Sequence, residues 1–238
     1  IVWEVRLPRA AAAFAAGACL GASGAALQGL LRNPLAEPGV LGVSAAAALA
    51  ATATLYFGLT GGFAWALPIA AVAGALTATA LLAIAAVRTR SVVTLILIGV
   101  GLSSFSGAAM ALLMNLAPHP FSLADMVNWM LGTVANRSLL DLAFASPFML
   151  GGLALLIGVG RGLSVLSLGE AAAHGMGLDV ARLRLWVVVG CGLATGAAVS
   201  LAGAVGFVGL VAPHFMRPLV GHDPHRTLAP SALLGGLM

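Results

Sequence analysis

Long apolar segments alternate with short polar ones along almost the whole chain. An α-helix needs about 20 apolar residues to cross the hydrocarbon core of a bilayer, and most of these segments approach that length. The pattern predicts seven membrane spans, of which the fourth is long enough to tilt and the seventh is short and contains Pro213. An eighth span is predicted to begin near Thr227. The seven cover about residues 10–31, 40–59, 64–87, 92–117, 142–160, 185–203 and 205–220.

Two of the connections between the predicted spans are much longer than a turn. Residues 118–141 include an amphipathic stretch from Leu123 to Val134. In residues 161–184, Gly175 and Gly177 are expected to break one helix into two short ones, because glycine favours turns over helix. Two short helices at a membrane surface predict a docking element for a partner, although a solvated connector without a partner has the same pattern.

The arginines indicate which side of the membrane each connection faces. One side holds eight of them, whereas the other holds only Arg137, with Arg6 and Arg9 just ahead of the first span. Basic residues are enriched in cytoplasmic loops, so the side with eight arginines is predicted to be cytoplasmic. Its arginines are Arg32, Arg88, Arg90, Arg161, Arg182, Arg184, Arg217 and Arg226.

The composition leaves lipid as the suitable solvent for this chain. Apolar residues make up 61% of its 238 residues and charged residues only 8%, too few to cover a water-facing surface. The 31 glycines fit an all-α polytopic membrane protein, because small residues let packed membrane helices approach closely. The cysteines lie in apolar segments and are expected to be buried hydrophobes. GxxxG spacings predict packing seams at Gly17 and Gly21, at Gly58 and Gly62, and at Gly192 and Gly196.

The chain lacks the residues with which a transporter drives itself. It contains no lysine, so it cannot form a P-loop and is predicted to have no nucleotide site and no enzymatic activity of its own. Its carboxylates lie almost all in connections or at span ends, whereas ion-coupled carriers bury such groups inside the membrane. A transporter of this kind must take its energy from a partner.

Three other functions remain as alternatives: an ion-coupled secondary transporter, a membrane-embedded enzyme and a non-transporting scaffold. Four serines within predicted helices have no histidine–carboxylate pair at plausible catalytic positions, namely Ser44, Ser103, Ser104 and Ser106. His214, near a span end, is more typical of a packing residue than of a proton relay. His222, Asp223 and His225 have the chemistry of metal ligands, but their short loop beside a proline is weak evidence for a metal site.

Four motifs give a more specific indication. Residues 6–9 read Arg-Leu-Pro-Arg, and residues 31–44 read Leu-Arg-Asn-Pro-Leu-Ala-Glu-Pro-Gly-Val-Leu-Gly-Val-Ser. Residues 167–178 read Ser-Leu-Gly-Glu-Ala-Ala-Ala-His-Gly-Met-Gly-Leu, and residues 202–217 read Ala-Gly-Ala-Val-Gly-Phe-Val-Gly-Leu-Val-Ala-Pro-His-Phe-Met-Arg. In this order and spacing they closely resemble the permease subunits of ABC importers for ferric siderophores, haem and vitamin B12. The resemblance covers essentially the whole chain.

This resemblance implies a bacterial inner-membrane subunit with ten spans that works as a homodimer. Two cytoplasmic ATPase subunits hold the ATP and Mg, an extracytoplasmic binding protein delivers the cargo, and the permease itself binds no cofactor or metal. Residues 1–238 are then a single transmembrane permease domain, which starts at Ile1 just before the family's second span and lacks most of its last two. Residues 161–184 form a cytoplasmic coupling connector within that domain.

The same resemblance assigns roles to particular residues. Arg6 and Arg9 match external arginines that pair with acidic residues of the binding protein. Coupling to the ATPase falls to Leu168, Gly169, Glu170, His174, Gly175, Gly177 and Leu178, with Arg182 and Arg184 expected beside the anionic inner leaflet. The turn at Ser91, Val92 and Val93 resembles the cytoplasmic gate. In the long fourth span Ser103, Ser104, Ser106 and Asn115 are expected to line the pathway, although helix packing would explain those polar groups nearly as well.

The cargo is expected to be a bulky chelate rather than a bare ion, because no ring of carboxylates is available to hold one. Haem would be expected to recruit histidine or tyrosine ligands. Tyr56 is the only tyrosine, and His119 is the only histidine predicted on the outer side. Among siderophore, haem and cobalamin, this slightly favours a siderophore.

Overall fold

The structure is a computed structural model that describes residues 2–61, 63, 65–89, 91–135 and 137–238. All regular elements in this part of the chain are helical. A π-helical turn, Val2–Arg6, runs into the first helix, and 3-10 turns occupy Pro38–Leu41, Leu59–Gly61 and Arg217–Leu219. The α-helices are α1 (Leu7–Leu31), α2 (Val43–Tyr56), α3 (Ala66–Arg88), α4 (Val92–Asn115), α5 (Pro120–Leu131), α6 (Leu139–Gly158), α7 (Gly160–Leu166), α8 (Glu170–Gly175), α9 (Val180–Ala202), α10 (Val208–Met216) and α11 (Pro224–Leu237).

Five helical segments of the described chain are long and apolar enough to cross a membrane: Val2–Leu31, α3, α4, α6 and α9. The all-α, multi-pass architecture is therefore confirmed, but seven full-length spans are not found. Helix α2 is apolar but has only 14 residues. The predicted seventh span contains the nine-residue α10, followed by the 3-10 turn Arg217–Leu219. At 1.5 Å per residue α10 is about 14 Å long, roughly half of the hydrocarbon thickness.

Helices α1 and α9 form the centre of the bundle. In their most apolar stretches 72% and 78% of the residues are buried, against 17% in α4 and 22% in α6. Helix α1 packs against α9, α10 and α11, and α9 packs in addition against α3 and α6. The core is built largely of alanine and glycine, so α1 and α9 lie close to their neighbours. The exposed faces of α4 and α6 remain for lipid or for another subunit.

Two of the three predicted glycine seams are present. Gly17 and Gly21 lie directly against the backbone of Gly235 and Ser231 in α11. A side chain at either position would collide with the facing carbonyl group, and a carbonyl cannot move out of the way as a flexible side chain can.

Gly192 and Gly196 form the second seam, where α9 lies against Thr79 and Ala75 of α3. The third predicted seam is wrong. Gly58 lies in the turn after α2 with φ of +65°, and the space that a Cβ atom would occupy there is open, so it serves the turn and not a helix contact. Its predicted partner, Gly62, lies outside the described residues.

The connections predicted to share one side of the membrane meet at one end of the bundle. Arg184, near the start of α9, contacts both Thr89 after α3 and Glu170 in α8. In the same region, Ser164 of α7 donates a hydrogen bond to Asp223 ahead of α11. At the other end, Arg9 and Arg137 line a common cleft. The predicted grouping of the connections is confirmed for these residues, and Arg90 lies outside the described part of the chain.

The long connector has its break at a different glycine from the one expected. Helix α7 follows α6 almost directly, and the chain then turns at Gly169, which has φ of +106° and precedes α8. Gly175 ends α8, and Gly177 takes φ of +80°, but the next helix is the 23-residue α9 rather than a second short one. The two short helices of the connector are thus α7 and α8.

Candidate functional site

Helix α8 is a short helix held to the bundle at few points. Ala173 on the inner face of this helix is fully buried. The Leu178 N–H donates to the Ala173 carbonyl oxygen at 3.0 Å, which closes the turn back towards α9. Leu168 and Met176 flank the helix and are 67% and 55% exposed. An apolar knob of this kind on a polar end of the molecule is a surface suited to a protein partner.

One guanidinium links α8 to the turn between α3 and α4. Arg184 Nη2 donates to Glu170 Oε1 at 3.1 Å, and Arg184 Nη1 donates to the Thr89 carbonyl oxygen at 3.4 Å. The Arg184 side chain is only 2% exposed, whereas that of Glu170 is 42% exposed. The expectation that Arg184 faces lipid headgroups is therefore wrong: because it is buried, its charge is compensated inside the protein. Arg182 is exposed, with its backbone N–H capped by Asp179.

Hydrogen bonds continue from Thr89 into the predicted gate. Thr89 Oγ1 accepts a hydrogen bond from the Ser91 N–H at 3.1 Å, and Ser91 Oγ in turn accepts one from the Thr94 N–H at 3.3 Å. Ser91 is thus the N-cap of α4 and defines where the helix begins. Val92 is half-buried and Val93 is 64% exposed at the end of the bundle.

His174 lies one turn after Glu170 on α8, as its spacing predicts. Its ring Nδ1 is 2.9 Å from the Glu170 carbonyl oxygen. Both side chains line a cleft between α8 and the start of α9, together with Asp179 and Arg184. In this cleft two predicted coupling residues meet Arg184, which the sequence had assigned to the membrane surface.

Arg6 and Arg9 are exposed at the opposite end of the molecule. Arg6 ends the π-helical turn and Arg9 lies in the first turn of α1, beside Pro8. Arg9 lines a cleft with Glu4, Arg137 and Ser138. Sequence reasoning placed Arg137 on this side but did not connect it with Arg9, because more than 120 residues separate the two.

The four polar residues predicted to line a pathway divide between two faces of α4. Ser103 donates to the Gly39 carbonyl oxygen at 3.3 Å, and Ser106 is buried. Both face the bundle. Ser104 and Asn115 are exposed and, eleven residues apart, share a side of the helix. Of the four, only Ser104 and Asn115 lie where a water-filled path outside this bundle could reach them.

A further polar cleft lies near α8 and was not predicted. It is lined by the basic side chains of Arg32, Arg217 and His222, with the buried Gln28 at its base. Partial burial lowers the pKa of Arg217, which lies after α10 and outside the five spans. Arg32 and His222 have positive φ angles, so the sequence motifs that contain them include strained turns.

Asp223, expected as one possible metal ligand, is engaged in another way. It caps α11 by accepting from the His225 N–H at 3.0 Å and also accepts a hydrogen bond from Ser164. Among the described residues no three histidine, cysteine, aspartate or glutamate side chains converge as a metal site.

Comparison with known proteins places this architecture in a family. The model of the FecCD transport family matches residues 1–238, the full chain. A solved structure described as an inward-facing conformation of a metal-chelate type ABC transporter superposes with a TM-score of 0.92 at 32% identity, covering 99% of this chain and 75% of that one. The chain belongs to the FecCD transport family of ABC transporter permeases.

Curated relatives agree with this assignment. The chain is 44% identical to the uncharacterized ABC transporter permease protein YvrB of Bacillus subtilis and covers 67% of its length. It is 40% identical to the vitamin B12 import system permease protein BtuC of Vibrio cholerae, covering 72% of it. It is 39% identical to the cobalamin import system permease protein BtuC of Halobacterium salinarum, of which it spans 63%.

Proposed function

We propose that this chain is the membrane-embedded part of an ABC importer that carries a metal chelate across the inner membrane by alternating access. Two copies enclose the pathway, and partner ATPase subunits with bound ATP and Mg drive it from the cytoplasmic side. A binding protein delivers the cargo from outside. Residues 1–238 act as one permease domain, within which residues 161–184 couple the pathway to the motor.

The observation that carries this proposal is the different character of the two ends of the bundle. One end gathers most of the arginine-bearing connections and presents the exposed helix α8, which suits a cytoplasmic surface that docks a motor. The other end presents the exposed Arg6 and Arg9, and Arg9 shares a cleft with Arg137 and Glu4, so three arginines outnumber one carboxylate there. An acidic protein surface is the partner that such a patch favours.

The buried residues support an external energy source. The buried polar and charged side chains of the described chain are serines, threonines, Gln28 and Arg184, and no carboxylate is among them. A proton- or ion-coupled carrier would need an ionisable relay inside the membrane. Energy from a partner ATPase is therefore favoured over the ion-coupled alternative.

The cargo class follows from the relatives rather than from a site in this chain. The two relatives named for vitamin B12 or cobalamin import, and a similar structure named for metal chelates, favour a cobalamin-type chelate. That differs from the slight preference for a siderophore that the scarcity of tyrosine and histidine suggested. All these cargoes are bulky chelates, so the mechanism is the same for each.

The test is ATP hydrolysis by the permease reconstituted in liposomes with its ATPase and its binding protein. Leu168→Asp places a charge on the exposed knob without disturbing a buried contact, and it is expected to abolish assembly with the ATPase. Leu219→Asp, at a leucine that is 75% exposed on the same end, is the matched control. The double variant Arg6→Glu/Arg9→Glu is expected to keep basal hydrolysis but lose its stimulation by the binding protein. Wild-type permease that associates with no ATPase would refute the proposal.

A further inference from the structure

Arg184 is a buried cation whose position only the tertiary structure explains. It lies in the second turn of α9, and its side chain is 2% exposed. Removing a guanidinium from water costs several kcal/mol unless nearby groups compensate it. A lipid-facing or merely space-filling role would be served better by an apolar side chain.

The two compensating groups belong to different parts of the molecule. Nη2 binds the Glu170 carboxylate on α8, and Nη1 binds the Thr89 carbonyl oxygen on the turn between α3 and α4. A guanidinium is a rigid planar fork, so a shift of one partner is transmitted to the other. The Nε atom is buried and has no acceptor among the described residues, so Glu170 and Thr89 supply the compensation through the two terminal nitrogens.

The contacts beyond Thr89 extend this connection to the predicted gate. Thr89 Oγ1 holds the Ser91 N–H, and Ser91 Oγ caps α4 through the Thr94 N–H. Hydrogen bonds joined through the covalent structure of Thr89 and Ser91 therefore connect the surface helix α8, by way of Arg184, with the residues that set the start of α4. Such a contiguous network is a physical route for coupling, and it needs a direct coupling experiment.

We infer that Arg184 is the positioning residue that transmits the movement of α8 to the gate at Ser91, Val92 and Val93. This inference rests on the proposed function, since it assumes a motor that moves α8. In this relay Glu170 passes the movement of α8 to Arg184, and Thr89 receives it on the turn that precedes α4. Within the coupling connector, Glu170 therefore acts on Arg184 rather than contacting the ATPase.

The experiment measures the accessibility of the gate to a thiol reagent. Val93→Cys introduces a thiol at an exposed gate position, whereas Cys19 and Cys191 are buried and unreactive in the folded chain. The labelling rate of this thiol by a polar maleimide is measured in the reconstituted importer with and without a non-hydrolysable ATP analogue. Coupling free energies in allosteric proteins correspond to changes of about 5- to 150-fold in affinity. In the wild-type background the nucleotide analogue is therefore expected to change the labelling rate by at least about fivefold.

Three variants in that background test the relay. Arg184→Gln and Glu170→Gln are each expected to reduce the nucleotide effect to less than about twofold, and together no further, since both break one connection. Arg184→Lys keeps the charge but not the fork, and it is expected to lose the effect while remaining folded. Arg226→Gln, which removes an exposed ion pair with Asp223 at the same end, is the matched control and is expected to behave as wild type.

The outcomes separate the inference from the proposed function. If Arg184→Gln fails to assemble, Glu170→Gln tests the same connection from the exposed side. Retention of the full nucleotide effect in Glu170→Gln or Arg184→Lys would overturn the relay while leaving the importer intact. A wild-type background that hydrolyses ATP without any change in labelling would overturn the gate and the relay together. Absence of an associated ATPase would remove the proposed function itself.

Discussion

Asp223 shows how one side chain joins two elements at the arginine-rich end. It caps α11 through the His225 N–H, accepts a hydrogen bond from Ser164 of α7, and lies 3.7 Å from Arg226 Nε. The hydrogen bond from Ser164 is the largest of the effects that hold the pKa of Asp223 below its usual value, and together they outweigh the opposing effect of burial. The carboxylate form is thus the one that stabilises the fold.

Asp223→Ala is expected to lower the stability of the permease by about 1 kcal/mol, the typical cost of a lost N-cap. In a chain of this size that corresponds to about 2–4 °C in the midpoint of thermal unfolding. The midpoint is measured in detergent with a thiol-reactive dye, since the buried thiols of Cys19 and Cys191 react only after unfolding. Asp125→Ala, at an exposed aspartate on α5, is the control and should leave the midpoint unchanged.

The pH dependence of that difference follows from the direction of the pKa shift. A lowered pKa in the folded state stabilises the protein above the usual value of 3.8, and the stabilisation is lost as the pH falls through the lowered pKa. The difference in stability between wild type and Asp223→Ala, measured as the difference in unfolding midpoint, should therefore stay constant from about pH 8 to pH 5. It should shrink only in stronger acid. A difference that shrinks near neutral pH would contradict this account.

Close approach between helices depends on a few glycines among many. Gly24 of α1 lies against the backbone of Gly209 in α10, with no room for a Cβ atom. At Gly151 of α6 the space that a Cβ atom would occupy is open, although this glycine also lies within an apolar helix. The two positions look alike in sequence and differ only in what faces them.

Gly24→Ala is expected to destabilise the permease by about 1–3 kcal/mol or more, because a backbone carbonyl must shift to admit the methyl group. Gly151→Ala, the matched control, should be neutral or slightly stabilising, since alanine is the better helix former by about 0.5–1 kcal/mol. Both are measured by thermal unfolding with the same dye. Equal effects at the two sites would show that α1 and α10 are not packed as closely as described.

The assembly decides what the exposed face of α4 contacts. Helix α4 is the least buried of the five spans, and Ser104 and Asn115 share its exposed side. If two copies enclose the pathway, that side faces water. If it faces lipid, Ser104 would lie within the hydrocarbon core in the middle of α4, whereas Asn115 ends the helix and lies near the membrane surface.

Cysteines at Ser104 and Asn115 are therefore expected to react with a membrane-impermeant thiol reagent in vesicles of the assembled importer. Leu150→Cys, at a 66%-exposed leucine of α6, should stay unreactive because its face is apolar apart from Ser146, whose hydroxyl already donates to the Ala143 carbonyl oxygen. Rates are followed by mass shift on gels, with bound cargo expected to slow the reaction at Ser104. Labelling at Leu150 as fast as at Ser104 would argue against a pathway along α4.

The helical membrane architecture, the grouping of the connections and the family could all be predicted from the residues alone. Hydropathy over a span, the count of arginines in a loop and the order of motifs are local properties, which hold whatever the helices pack against. Helix ends were less predictable, since α10 begins only at Val208 although the apolar stretch already includes Val205. Likewise, which of the 31 glycines make contacts depends on the facing helix.

The role of Arg184 was decided by tertiary structure alone. In the sequence it is one of eight arginines on the predicted cytoplasmic side, and nothing local distinguishes it from Arg182 two positions earlier. Its carbonyl partner, Thr89, is 95 residues away in the chain. Composition and periodicity indicate whether a segment as a whole faces lipid, water or protein. Pairing between residues so far apart exists only once α3, α8 and α9 have packed together. Burial then leaves one guanidinium and one carboxylate to compensate each other.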